Sequence, residues 1–228
     1  MFERLKKALG NAKTAGQNPS ESDALFEWAG AHGFTFAAAG EGQGFSLTGM
    51  VDNKPWRLEC GSSSRDYILG EELRARAELK LDRPTSVLIM SRPLKEMLEK
   101  RAYGIYTDTL QTTADPSLTE EMRWLALYPE VGWDGLPNAF WDRYAVLADQ
   151  RNHAMDWVDL ALAGLLLSWP EPAADAQLPF MLMLLRGKAY LRMQYTPGDL
   201  PMLQHAILIF HAACELALAD RSTDIVCD

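Results

Sequence analysis

From Phe45 the apolar residues fall on every second position. Phe45, Leu47 and Val51 alternate with Ser46, Thr48 and Met50, and beyond the turn pair Asp52-Asn53, Trp56, Leu58 and Cys60 alternate with Arg57 and Glu59. A period of two belongs to a strand with one buried face, so this stretch predicts a β-hairpin. Residues 71–81, EELRARAELKL, are rich in helix formers, yet Leu73, Ala75, Ala77, Leu79 and Leu81 are apolar while Glu72, Arg74, Arg76, Glu78 and Lys80 are charged. A helix would spread those charges around its circumference, so the pattern overrides propensity and predicts a strand with its odd-numbered side chains inward. SVLIMS, residues 86–91, predicts another strand, and Pro93 suits the first turn of a helix over LKEMLEKRAYG.

Elsewhere the period is helical. Phe2, Leu5 and Leu9 give residues 1–9 the pattern of a short amphipathic helix, and GNAKTAGQNPS reads as a linker. Ser20 and Asp23 mark a helix start before Leu25, Phe26, Trp28 and Ala29, with Gly30 and Gly33 to end it. Ser117 and Glu120 form a capping box for a helix through Met122, Trp124, Leu125 and Leu127. YPEVGWDGLPNAFWD then reads as a connection punctuated by Pro and Gly, followed by a strand at 144–147 and a helix over about 152–168. FMLMLLRGKAYLRMQY predicts a hairpin turning at Arg186-Gly187-Lys188. The last helix starts at Asp199 and buries Leu203, Ile207, Phe210, Cys214 and Ala217.

The order implies an α+β fold, with antiparallel or mixed sheets packed against helices in two similar-sized units. Residues 1–19 form the short helix and linker, 20–106 a helix plus antiparallel sheet, and 107–228 an α+β unit of helix, strand, helix, hairpin and helix. Pattern alone does not fix whether the two units share one core.

Composition narrows the classes. At 228 residues, 48% hydrophobic and 23% charged, the chain is an ordinary globular one. MFERLKKALGNAK lacks a continuous apolar run, so it does not read as a secretory signal. Cys60, Cys214 and Cys227 form no CxxC pair, which argues for reduced thiols. The apolar run Leu160–Trp169 is too short to span a bilayer. The expectation is a cytoplasmic protein without an integral membrane segment. The net charge is −9, and it is uneven: residues 54–101 hold 11 Lys/Arg and 8 Asp/Glu, whereas 107–175 hold 3 and 12. Such a chain repels a phosphate backbone, which argues against general nucleic-acid binding.

Candidate chemistry is sparse. CGSSSRDYILG, residues 60–70, has the composition of a nucleophile loop or phosphate cradle, but no helix follows closely and GxSxG is absent. It reads as a connection between strands. His205 and His211 point about 120° apart on a helix, so they do not converge, and His211 with Cys214 and Glu215 lacks further ligands of a zinc motif. Glu120/Glu121 fit a helix N-terminus, Asp156/Asp159 a solvated helix face, and Cys60 a core position. No catalytic, cofactor-binding or metal-ligating residue is assigned. Two surfaces are candidates. Trp133 sits outside any periodic element and, with Tyr128, Phe140 and Trp141, forms either an exposed recognition patch or a loop folded over the sheet. Arg57, Arg74 and Arg76 share one strand face and would meet an anionic substrate if a cleft closed over them.

The succession DNKPWRLECG, ELRARAEL and VLIMSRPL, followed by FWDRYAVLAD and PFMLMLLRGKAYLRM, resembles a group of uncharacterised bacterial proteins with a hairpin unit before an α+β unit. The resemblance covers about residues 40–219 and implies architecture without a reaction or cofactor. The expected function is therefore a non-catalytic binding or scaffolding protein contacting another protein or a small ligand. The alternative is an enzyme acting on a small anionic substrate between the units.

Overall fold

The computed structural model describes residues 21–39, 44–81, 85–108, 119–171 and 178–219; the segment 1–19 and the Ser117 cap lie outside them. Helix α1, Glu21–Ala31, ends where Gly33 takes a φ of +72°, a left-handed conformation that suits glycine. Strand β1, Thr35–Ala38, follows. The expected hairpin is β2, Phe45–Val51, and β3, Lys54–Ser62, with Asp52 and Asn53 at φ +43° and +58° as its two-residue turn demands. Next come β4, Glu71–Glu78, β5, Ser86–Ser91, and α2, Arg92–Asp108. The later elements are α3, Glu120–Leu127, β6, Glu130–Val131, α4, Asn138–Arg143, and β7, Tyr144–Ala148. They continue as α5, Arg151–Trp157, α6, Leu160–Leu167, β8, Phe180–Leu185, β9, Lys188–Tyr195, and α7, Leu200–Ala219.

All nine strands among the described residues join one antiparallel sheet in the order β1-β2-β3-β4-β9-β8-β5-β7-β6, and the fold is α+β. The β8–β9 hairpin is inserted between β4 and β5, so strands from both sequence units alternate in a single sheet. The chemistry of β8 explains the insertion. FMLMLL is buried at every position, which only a central strand covered on both faces provides.

One face is covered along most of its width. Leu47, Leu58, Leu73, Leu191, Leu182, Ile89 and Val146 face a layer made by α1, α4, α5, α6 and α7, with Phe210 and Phe140 fully buried within it. Among the described residues, α7 is long and apolar enough to cross a membrane, but 56% of that window is buried, as a core helix requires. The second face is covered over part of its width. Met181, Met183, Leu88, Met90 and Leu147 pack under α2 and α3 through Leu94, Leu98 and Met122.

Four local expectations need correction. The helix expected over 152–168 is broken at Val158-Asp159, where the Asp159 carboxylate accepts the Leu162 N–H at 2.7 Å and starts α6 as its N-cap. Asp156 and Asp159 are therefore not neighbours on one helix face. Residues 71–81 do form a strand with Leu73, Ala75, Ala77 and Leu79 buried, but it ends at Glu78, and Lys80 turns the chain at φ +56°. Finally, β6 and α4 arise in the stretch read as a connection, and β1 in one given no element, because two-, six- and four-residue elements are too short to display a period.

The Asp159 cap carries a direct test. Asp159→Ala should lower stability by about 0.5–2 kcal/mol in a urea melt, whereas Asp159→Asn should cost less, because an amide oxygen still accepts the helix N–H.

Candidate functional site: the uncovered half of the sheet

Strand register assembles the second face residue by residue. Thr48 pairs with Arg57, Arg57 with Arg76 and Arg76 with Tyr190, while Ser46 pairs with Glu59, Glu59 with Arg74 and Arg74 with Arg192. One strand further, Tyr190 pairs with Met183 and Arg192 with Met181. Crossing from β9 to β8 thus changes the face from Arg, Glu and Tyr to Met and Leu. The change coincides with the limit of the α2–α3 cover.

The charged half is nearly self-compensating. Like charges placed directly across strands, as in Arg57/Arg76 and Arg74/Arg192, repel. Intervening carboxylates offset this. Arg57 lies 2.8 Å from Glu59, Arg74 lies 3.8 Å from Glu59 and 3.9 Å from Glu72, and Arg76 pairs with Glu78, which also meets Lys188 at 3.3 Å. Arg76 also stands 5.9 Å above the Tyr190 ring. Apart from the contact with the buried Glu72, these pairs are half-exposed, so each adds little stability; their effect is to fix side-chain positions on a mixed-charge surface.

At the boundary the ion pairs are buried. Glu72 and Glu121 have no solvent exposure. Arg192 lies between them, its Nε 2.7 Å from Glu72 and its Nη1 2.5 Å from Glu121. Arg65 Nε donates to the same Glu121 oxygen at 2.7 Å, and the Tyr67 hydroxyl donates to it at 3.0 Å. Ser63 donates to Glu72 at 3.1 Å. The loop 60–70 is thus a connection, as its sequence indicates, and it also delivers Ser63, Arg65 and Tyr67 to the seam. Burial alone would raise the Glu121 pKa. A backbone N–H at the start of α3, with Arg65 and Arg192, outweighs it and holds the carboxyl below its ordinary range. The Tyr67 hydroxyl is pushed up by burial and by the Glu121 charge.

Above the uncovered strands lies a hollow of about 890 Å³, lined by Thr35, Thr48, Met50, Arg57, Arg74, Arg76, Tyr190 and Arg192 among others. A second one of about 650 Å³ shares Arg57, Glu59 and Arg74 and extends towards Ala37 and Ser46. The three sequence-selected arginines therefore do share one surface, each beside a carboxylate.

The aromatic candidates separate. Trp133 and Trp141 meet edge to face at 5.0 Å, both half-buried, beside a hollow of about 830 Å³ rimmed by Arg92, Glu130 and Arg151. Phe140 is no part of an exposed patch. It is fully buried, because α4 turns it into the core against Trp141 and Tyr144. Tyr128 sits on the other face, packed with the α2–α3 cluster and bonded to Ser86 at 3.2 Å. Nor do the histidines converge: His205 bonds the Leu165 carbonyl at 2.8 Å, and His211 faces the Trp56 and Phe34 rings. Cys214 is buried, which pushes its thiol up to about 12. Sequence reasoning missed Glu72, Glu121, Arg65 and Arg192. The available signal was the charge of Glu72 and Arg192 at alternating strand positions, which becomes informative only once β4 and β9 are paired.

No family model and no curated protein matches the chain. Among solved structures it is similar to the crystal structure of the mycobacterial trehalose monomycolate transport factor A, TtfA, with 9% identity and a TM-score of 0.49, over 86% of this chain and 93% of that one.

The depressed Glu121 pKa fixes the sign of a pH effect. The unfolded chain binds the proton more readily, so the stabilisation is complete above the ordinary carboxylate pKa of about 4.3 and is lost as pH falls through the lower folded value. Urea melts should show wild type losing stability on acidification over that window. Glu121→Gln should be less stable at neutral pH and lose less on acidification; an unchanged profile would contradict the assignment.

Proposed function

We propose that this chain is a non-catalytic binding module whose uncovered sheet face, on β2, β3, β4 and β9, receives another protein. The reading rests on one observation: this half of the second face carries an ordered mixed-charge ladder instead of an apolar layer, and the described residues leave it open to solvent. A partner surface with complementary Lys/Arg and Glu/Asp positions would be selected by register, which is how charged groups contribute specificity at interfaces. Met50, 58% exposed, and the Tyr190 ring supply apolar contact within the ladder.

An enzyme acting on a small anion is less well supported. Its arginines would have to converge uncompensated, and Glu59, Glu72 and Glu78 already occupy Arg57, Arg74 and Arg76.

A photo-crosslinking residue at Thr48 or Met50 tests the proposal in the cell of origin, with Leu208 on the opposite layer as reference. The expected outcome is one discrete polypeptide adduct from the first two positions, weakened by Arg57→Glu with Arg76→Glu in protein that keeps its wild-type melting temperature. Adducts equally abundant from Leu208 would overturn it. So would native mass spectrometry showing a stoichiometric small molecule that the double reversal releases.

A further inference from the structure

Helix α1 and strand β1 meet at a corner, residues 32–34, that packs through rings. Phe34, half-buried, is its centre: it meets Trp28 at 5.6 Å and stacks on His32 at 6.1 Å, and it also meets Trp56 on β3 at 5.0 Å and His211 on α7 at 5.6 Å. His211 and Trp56 close the triangle at 5.0 Å. One ring thus ties the corner to two elements distant in sequence. β1 itself is four residues long and, among the described residues, pairs with β2 alone.

Two buried nitrogens in this cluster, Trp56 Nε1 and His211 Nε2, have no hydrogen-bond partner among the described residues. An indole N–H only donates, so Trp56 offers no acceptor to a proton on His211 Nε2. A neutral imidazole with its proton on Nδ1 fits these surroundings. An imidazolium sets a second unpaired donor there and brings a charge among apolar rings. The Trp56 ring is closed in by Gly49 of β2, where an added Cβ would meet it at 2.8 Å, so relief has to come from the short edge element instead.

Among the described residues no charged group compensates. Burial is the cause that shifts the His211 pKa, and it lowers it. The titratable group facing it from the corner is His32, a second base, whose Nδ1 meets the Trp28 carbonyl at 2.9 Å. β2 carries no titratable residue from Phe45 to Val51. On β3, Arg57 belongs to the opposite sheet face, paired with Glu59; on α7, the Glu215 charge acts on Cys214. α5 reaches α7 through the Trp157 N–H on the Ala213 carbonyl at 2.8 Å.

We propose that His211 is an acid-sensitive latch for the α1–β1 corner: as a neutral ring it holds Phe34 against Trp56, and its protonation releases residues 21–38 from the sheet and α7. The consequence reaches the second face, because Gly33 and Thr35 line its larger hollow, and a released corner takes that wall with it whatever the hollow receives. The sign follows from linkage. A released His211 binds its proton at the ordinary value of about 6.5, so the latch is fully engaged above that pH and weakens as pH falls below it. The window of Glu121 lies lower.

Hydrogen exchange followed by mass spectrometry, on the full chain at about pH 7.5 and about pH 5.5 and corrected for intrinsic exchange, brackets the imidazole range. Protection of residues 21–38 should fall about tenfold more than that of β8, the change that one unit of pKa shift supplies. His211→Phe keeps a ring without the titration and should lose this difference, whereas His32→Asn should keep it. Equal changes in 21–38 and β8, a difference that survives in His211→Phe, or one that vanishes in His32→Asn would overturn the proposal. Should His211→Phe fail to fold, NMR on wild type decides: a His211 ring titration with the same midpoint as the loss of Phe34 amide protection supports the latch, and separate midpoints refute it.

Discussion

Glu121 is a charged carboxylate with no exposure to water, and much of the second sheet face is arranged around its need for cations. It lies in the first turn of α3, so its oxygen ties that helix to Arg192 on β9 and to Arg65 in the loop between β3 and β4. Three elements distant in sequence are thus bound at one atom. A buried ion of this kind gives little net stability against an apolar replacement, yet removing one partner leaves an uncompensated charge, commonly at a cost of about 3–5 kcal/mol. The arrangement therefore acts as a positional constraint. α3 has one place to sit, and the apolar cover of the sheet stops beside Arg192.

What lies on either side follows from that limit. Under α2 and α3 the strands carry Met and Leu because water is excluded there. Beyond the seam the same strand direction carries Arg, Glu and Tyr, because the face is wet and the strands stay in register through their other, buried side. The functional proposal uses this division. A ladder of alternating charge is costly to desolvate without complementary charge opposite, so it discriminates against the wrong partner more strongly than it attracts in general.

Much of the scaffold was legible in the sequence, and for identifiable reasons. The β2–β3 hairpin announces itself by alternation and by Asp52-Asn53. β4 defies its helix-forming composition because five apolar and five charged residues alternate without exception, and β8 is recognisable as doubly buried. The candidate site was half legible: Arg57, Arg74 and Arg76 were placed on one face, but their carboxylate partners and the buried seam were not found. Glu72 looks like any solvated member of an alternating strand, and Glu121 like a charge favoured by a helix N-terminus. Only the pairing of β4 with β9, more than a hundred residues apart, sets Arg192 between the two carboxylates. Asp159 carried a readable signal, a capping residue inside an apolar run, which the continuous helical period obscured.

The claim that the Glu121–Arg192 contact positions the cover is tested most directly by a double-mutant cycle. Glu121→Gln, Arg192→Met and the double variant would be compared by urea denaturation at neutral pH. Because each single change strands a buried charge or its partner, the double variant should be markedly more stable than the sum of the two losses implies, with a coupling of about 1–3 kcal/mol. Additivity within about 0.5 kcal/mol would contradict the account and would make the seam a consequence of the packing instead of its determinant.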